Sequence, residues 1–171
     1  RTIAKIYVWM EEKIIPELSG VIFSPMESEN YLLSLNRRVI RIENYPILER
    51  ESLSSKLVKN KQVKNLVYLG QMRRIRGILE LIDAIKVVSE KIFNIRLELI
   101  GRTAPVKFKR EIEAKIQQLN LESYILMRGH LPYDDALRSI QNASAGIVTF
   151  LPTPNNMSCL PNKIFEYMQF R

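Results

Sequence analysis

Two stretches carry residue types suited to holding a phosphorylated ligand. From Gly70 to Gly77 the chain reads G-Q-M-R-R-I-R-G, with Arg73, Arg74 and Arg76 set between two glycines. Glycine lets backbone approach a ligand closely. A guanidinium presents forked donors that match phosphate oxygens. From Asn155 to Phe170 the chain reads N-N-M-S-C-L-P-N-K-I-F-E-Y-M-Q-F. Pro161 suits a first helical position, because its φ is already helical and it has no N–H to leave unpaired. Asn162, Lys163 and Ile164 would then offer backbone N–H groups in a first turn, where anions collect. Glu166 follows Asn162 by four and Lys163 by three, so an amide, a cation and a carboxylate share a neighbourhood. Ile164 and Met168, four apart, are expected to face the core. A solvated basic turn and an ordinary amphipathic helix are the plain alternatives for these two stretches.

Other chemistries find little support. His130 is the single histidine and Cys159 the single cysteine. Together they cannot make a zinc site of the usual kind, and Cys159 lacks an identifiable activating base. There is no G-x-G-x-x-G and no G-x-x-x-x-G-K-[ST]. One cysteine permits no internal disulfide, and a reducing, cytoplasmic setting is the simpler reading. The 171 residues carry a net charge of +8, with 46% hydrophobic and 26% charged residues. That balance describes a globular chain drawn to anionic partners such as nucleotides, nucleic acid or acidic headgroups. A lysine-rich solvated surface would give the same charge.

These residues must be positioned by an alternation of elements. Thr2 to Ile15 has a helical spacing of apolar residues, closed by Pro16. Gly20 to Phe23 reads as a strand, Met26 to Leu35 as a helix and Arg38 to Ile42 as a strand. Residues 47–64 are polar and lysine-rich and read as a linker. It separates a first unit, 1–46, from a second, 65–171. In the second, strands are expected at Leu66 to Leu69, Ile95 to Ile100, Tyr124 to Met127 and Ala145 to Phe150. Helices are expected at Ile78 to Ile92, Val106 to Asn120 and Tyr133 to Asn142, and from Pro161 onward. Strand and helix in turn, with short connections, argue for an α/β parallel sheet covered on both faces. Ligands of such sheets sit at the carboxyl ends of the strands.

The segment P-N-K-I-F-E-Y-M (Pro161 to Met168) resembles the donor-binding helix of the group-1, family-4-type glycosyltransferases of GT-B architecture. Gly70 to Gly77 is similar to their first donor-domain loop, where an arginine and a later basic-glycine pair bind the donor diphosphate. Arg76-Gly77 fits the second element, while Gln71 stands where an arginine is common and Arg73 or Arg74 would substitute. The resemblance implies that Arg76 and Glu166 are the catalytic pair of positions, with Glu166 on the nucleotide ribose. It implies a diphosphate site formed by Gly70, Gln71, Arg73, Arg74, Arg76, Asn162, Lys163 and Ile164. Arg128, His130 and Leu131 resemble the segment that reads the nucleobase. Many members carry a glutamate eight positions before Glu166. Here that position is Ser158, so Asn155, Asn156 or Ser158 is left to meet the sugar. Ser19 to Leu33 and Arg38 to Pro46 look like the end of the family's amino-terminal domain.

The resemblance therefore implies a Rossmann-like carboxy-terminal domain of a GT-B enzyme, preceded by a remnant of the acceptor domain. It implies transfer of a sugar from a UDP- or GDP-linked donor to an acceptor hydroxyl, with retention of configuration and no cofactor or metal. A glycan or lipid-linked acceptor would be the partner of the full-length protein, with no nucleic acid and with peripheral contact to an anionic inner-membrane surface. The part present is expected to be inactive alone. Two other readings compete: an enzyme like a nucleotide-sugar epimerase, which would need an acid–base pair not evident here, and a basic anion-binding module without catalysis.

Overall fold

The structure, a computed structural model, describes residues 2–24, 28–43, 63–157 and 161–170. The chain divides into two compact units, one of Arg1–Tyr45 with Met157–Leu160, the other of Pro46–Asn156 with Pro161–Arg171. Most of the stretch expected as a linker, 47–64, lies outside the described residues.

In the first unit, helix α1 (Thr2–Ile14) runs into a tight turn at Ile15–Glu17 where Pro16 stops it. Strand β1 (Val21–Phe23), helix α2 (Glu29–Leu35) and strand β2 (Val39–Arg41) follow, and the two strands pair in parallel. Asn36 is buried and fastens the unit. Its amide donates to the carbonyls of Ile15 and Leu18 at 2.8 and 2.9 Å, and its Oδ1 accepts the Arg38 N–H at 2.8 Å. The two hydrogens and the oxygen of the side-chain amide are thereby all engaged.

The second unit holds strands β3 (Lys64–Leu69), β4 (Ile95–Ile100), β5 (Ile125–Gly129) and β6 (Ala145–Gly146). Helices α3 (Ile78–Ser89), α4 (Val106–Gln118) and α5 (Tyr133–Asn142) alternate with them. Two short helices, α6 (Pro154–Met157) and α7 (Lys163–Met168), come last. The strands are parallel in the order β5-β4-β3-β6. The first strand of the unit is thus central, with the second on one side and the fourth on the other. This is the doubly wound order, and its switch point falls between β3 and β6.

Alternation along each strand serves two cores. Tyr68, Leu97 and Leu99 face Ile82, Ile85, Phe108 and Ile112 of α3 and α4. Val67 and Ile100 face Ala136, Leu137 and Ile140 of α5, with Tyr167 and Phe170 packed alongside. Each fully buried aliphatic side chain of this kind contributes about 1.5–3 kcal/mol.

Strands and helices fall near where their apolar spacing places them, although α7 begins at Lys163 rather than at Pro161 and Pro154–Met157 forms a short helix of its own. Two further differences concern β6 and the face of α7. The strand expected to run from Ala145 to Phe150 pairs only through Gly146. The Tyr167 hydroxyl takes the place of its next partner, accepting the Leu69 N–H at 2.9 Å. The packed face of α7 also differs from expectation. Lys163 is buried and Tyr167 packs on the core, four residues apart, whereas Met168 is exposed. Helical spacing fixes which residues share a stripe, but the short helix is turned by the tyrosine latch rather than by hydrophobicity alone.

Candidate functional site

The carboxyl ends of β3, β4 and β5 open onto a hollow of about 520 Å³. Its floor is backbone. Gly70 and Gly101 end β3 and β4, and the chains approach so closely that a Cβ on Gly101 would lie 2.1 Å from the Gly70 carbonyl oxygen. Gly101 also has φ of +137°, a value other residues rarely adopt. Gln71 and Arg102 line one side of the hollow, His130, Leu131, Pro132 and Tyr133 another, and Glu166 of α7 closes it. Glu166 is half-buried. Burial pushes its carboxyl up from the ordinary range, and the neighbouring Lys163 ammonium offsets part of that shift.

Lys163 is the buried cation of this region. Its Nζ lies 4.0 Å from the centre of the Tyr68 ring and 5.5 Å from that of Phe150. A Cβ on Gly70 would come within 3.3 Å of it. Arg76 stacks on the same Phe150 ring, its Cζ 4.4 Å from the ring centre. One aromatic side chain therefore carries two cations, from the arginine loop and from α7. Burial pushes the Tyr68 hydroxyl up to about 12, the Arg76 charge working against it. The phenol stays neutral beside the two cations, and it donates to the Gln71 carbonyl at 3.3 Å.

The arginine loop is fixed to the segment before α7 by several bonds. Thr149 donates its hydroxyl to the Arg76 carbonyl at 2.7 Å. The Leu151 N–H and the Asn156 amide both reach the Ile75 carbonyl at 3.0 Å, and Asn156 also donates to the Leu151 carbonyl at 2.9 Å. Both stretches singled out by their residue types thus meet on one side of the sheet, next to its switch point.

The expected site residues do not all play equal parts in this arrangement. Gly70, Gln71, His130, Leu131 and Glu166 line the hollow, and Arg76 and Lys163 share Phe150. Arg74 is turned toward α4, where it pairs with Glu111 and stacks on Phe108 at 5.4 Å. Arg73 is exposed. Asn162 precedes α7 in helical conformation. The expectation that Ile164 offers a free amide is corrected. Its N–H bonds the Pro161 carbonyl at 3.0 Å, because the chain tightens into an i to i−3 turn there. Arg128 lies 3.7 Å from Glu98 and lines a separate hollow of about 310 Å³ beneath α5, which meets the first at Leu131. Asn156 spends its amide hydrogens on the two carbonyls already named. Ser158 and the side chain of Asn155 lie outside the described residues. Among the described residues no cluster of His, Cys, Asp and Glu is suited to a metal, and no helix is long and apolar enough to cross a membrane.

Two contributors carry no signal in the order of residue types, Tyr68 and Phe150, which read as strand interior. Tyr167 falls inside the P-N-K-I-F-E-Y-M segment, but nothing there assigns it a role of its own. Tyr133, 60% exposed at the rim of the hollow, reads only as a helix start.

Glycine-ended strands, a half-buried carboxylate and two cations on one ring thus lie at the carboxyl edge of the sheet. The glycosyl transferases group 1 family profile matches residues 63–171. No curated protein matches the chain. Among solved structures, a glycosyltransferase from Rickettsia africae is similar over 94% of this chain and 45% of its own, at 15% identity and a TM-score of 0.72. HepE of Anabaena, solved with UDP and glucose, is similar over 97% of this chain and 45% of its own, at 15% identity and a TM-score of 0.68. A point mutant of S. aureus TarM, solved with fondaparinux, α-GlcNAc-glycerol and UDP, is similar over 94% of this chain and 30% of its own, at 17% identity and a TM-score of 0.68. At these identities the likeness is one of fold, and the chain spans less than half the length of each of the three. With this GT-B type of fold, and with the family profile covering well over half its residues, the chain belongs to the glycosyl transferases group 1 family.

Proposed function

We propose that the second unit binds the nucleotide part of a sugar donor, and that the full-length protein transfers the sugar to an acceptor hydroxyl. One observation carries this reading: Lys163 and Arg76 converge on Phe150, while the Glu166 carboxylate, also close to Lys163, lines the hollow. A nucleoside diphosphate has this polarity in reverse. Its pyrophosphate seeks cations, and its ribose offers hydroxyl donors to a carboxylate. UDP is the first nucleotide to test, since TarM and HepE have both been solved with it.

The chemistry of transfer is electrostatic in this reading. Negative charge grows on the leaving diphosphate as the glycosidic bond breaks. Arg76 and Lys163 offset it from fixed positions, and such preorganised donors are worth about 2.7–4 kcal/mol each in other enzymes. Arg73 is free to add to the site from the exposed loop. Glu166 orients the ribose, and His130 and Leu131 lie where a base would end. Retention of anomeric configuration, a glycan or lipid-linked acceptor, and a cytoplasmic setting at an anionic membrane surface belong to the same proposal.

The test is calorimetric titration of the chain with UDP, GDP and ADP. Binding of one of them, weakened by Arg76→Ala and by Glu166→Ala, is expected. A folded chain that gives no heat with any nucleoside diphosphate would sink the reading. Broad, strongly salt-dependent binding without base preference would point to a nonspecific basic module instead.

A further inference from the structure

The expected strand from Ala145 to Phe150 ends early for a specific reason. The Ile147 N–H still bonds the Val67 carbonyl, at 2.7 Å. In an uninterrupted parallel ladder the next rung would run from the Leu69 N–H to the Ile147 carbonyl. The Tyr167 hydroxyl sits inside that rung. It accepts from Leu69 at 2.9 Å and lies 3.2 Å from the Ile147 carbonyl, its nearest acceptor. The phenol thus stands between β3 and β6 at the switch point of the sheet, and it satisfies backbone groups that splayed strands would leave orphaned.

Gly146 makes this possible. A Cβ there would meet Tyr167 Cδ2 at 2.3 Å, so any larger residue expels the ring. Glycine and tyrosine form a socket and peg. The peg belongs to α7, which has only six residues and cannot hold its own position through length. Glu166 directly precedes Tyr167, and Lys163 lies one turn before it on the same stripe.

We propose that Tyr167 is the positioning residue of the donor site: its hydroxyl, pegged between β3 and β6 over Gly146, holds α7 so that Glu166 faces the hollow and Lys163 reaches Gly70. This rests on the donor-site reading above. Tyr167 is not among the residues that line the hollow. It acts through Glu166 and Lys163, and so differs from a residue that merely fills the core.

The experiment compares wild type, Tyr167→Phe and Gly146→Ala. Phenylalanine keeps the ring and removes only the inserted hydroxyl, while alanine keeps the hydroxyl and displaces the ring. Two readouts are taken: Kd for UDP against 2′-deoxy-UDP, and amide hydrogen exchange of the peptide spanning 161–170. A core-packing role would weaken both nucleotides equally. The positioning role predicts that Tyr167→Phe weakens both nucleotides through Lys163 and costs UDP about tenfold more than the deoxy analogue through Glu166, the scale of one buried hydrogen bond left unmade. The preference for ribose then falls toward unity. Exchange over 161–170 quickens in both variants. Unchanged exchange together with unchanged ribose preference overturns the proposal. If the wild-type chain binds no nucleotide, the donor-site reading fails. The exchange data then decide separately whether the hydroxyl holds α7, and unchanged exchange rejects the peg.

Discussion

Replacing Lys163 by methionine separates the two duties a buried cation can have. The side chain is 9% exposed, with its ammonium between two aromatic rings and above Gly70. Methionine has nearly the same length and fits a mixed aromatic environment. The substitution forfeits two cation–π contacts, worth about 0.5–2 kcal/mol each. It also removes the cost of keeping an ion out of water, which is several kcal/mol. The two effects oppose each other, so the net change in folding stability should stay within about 2 kcal/mol, a melting shift on the order of 10 °C for a unit of this size. Binding has no such offset. A hydrogen bond to a charged group is worth about 1.5–3 kcal/mol, so Kd for UDP should rise by about 10- to 150-fold. Uridine, which lacks the diphosphate, should be affected little. Calorimetry with both ligands, beside a thermal melt, reads all three quantities. UDP affinity within about twofold of wild type would refute a diphosphate role for Lys163. A melting loss well beyond that range would show that the ammonium serves the fold instead.

Three further outcomes follow from the same geometry. Gly101→Ala should destabilise the second unit by about 3 kcal/mol or more, because its Cβ would strike the Gly70 carbonyl at 2.1 Å from a backbone angle alanine avoids; chemical denaturation measures it. Arg74→Ala should cost about 0.2–1 kcal/mol of stability and leave nucleotide affinity unchanged, since its Glu111 pair lies at an exposed surface, with side chains 60% and 40% accessible. Glu166 has a carboxyl raised by burial in the folded state. Folded chain therefore holds that proton more tightly than unfolded chain, so stability is full below the ordinary glutamate range and declines as pH rises through the raised value. Glu166→Gln should flatten that decline, as melts from pH 4 to 7 would reveal.

Much of the fold was legible because its cause is local. The stripe Ile78, Leu81, Ile82 and Ile85 on α3 and the run Ile95 to Ile100 in β4 state their periods openly, and both appear as expected. The parallel sheet followed from their alternation. The site was legible in its loudest residues: the arginine loop and the P-N-K-I-F-E stretch do meet. Their individual duties were less so. Arg74 and Arg76 stand two apart in one loop, yet Arg74 goes to Glu111 and Arg76 to Phe150. Nothing in the residue types separates them, because the difference depends on which helix or loop happens to lie across from each. Asn156 looked free to meet a sugar, but its amide braces two loops through the Ile75 and Leu151 carbonyls.

The order of residues alone determined the alternation of elements, the glycine-ended strands and the family to which they belong, since propensity, period and motif act over a few neighbouring positions. Only the tertiary structure decided which cation is buried, where β6 stops and which way α7 turns. Those outcomes rest on contacts between residues far apart in the chain: Tyr167 with Leu69, Gly146 with the Tyr167 ring, Lys163 with Tyr68 and Phe150. A hydroxyl that replaces one backbone rung across such a distance leaves no period in the sequence, because its partner is chosen by how the sheet and the helix pack rather than by spacing.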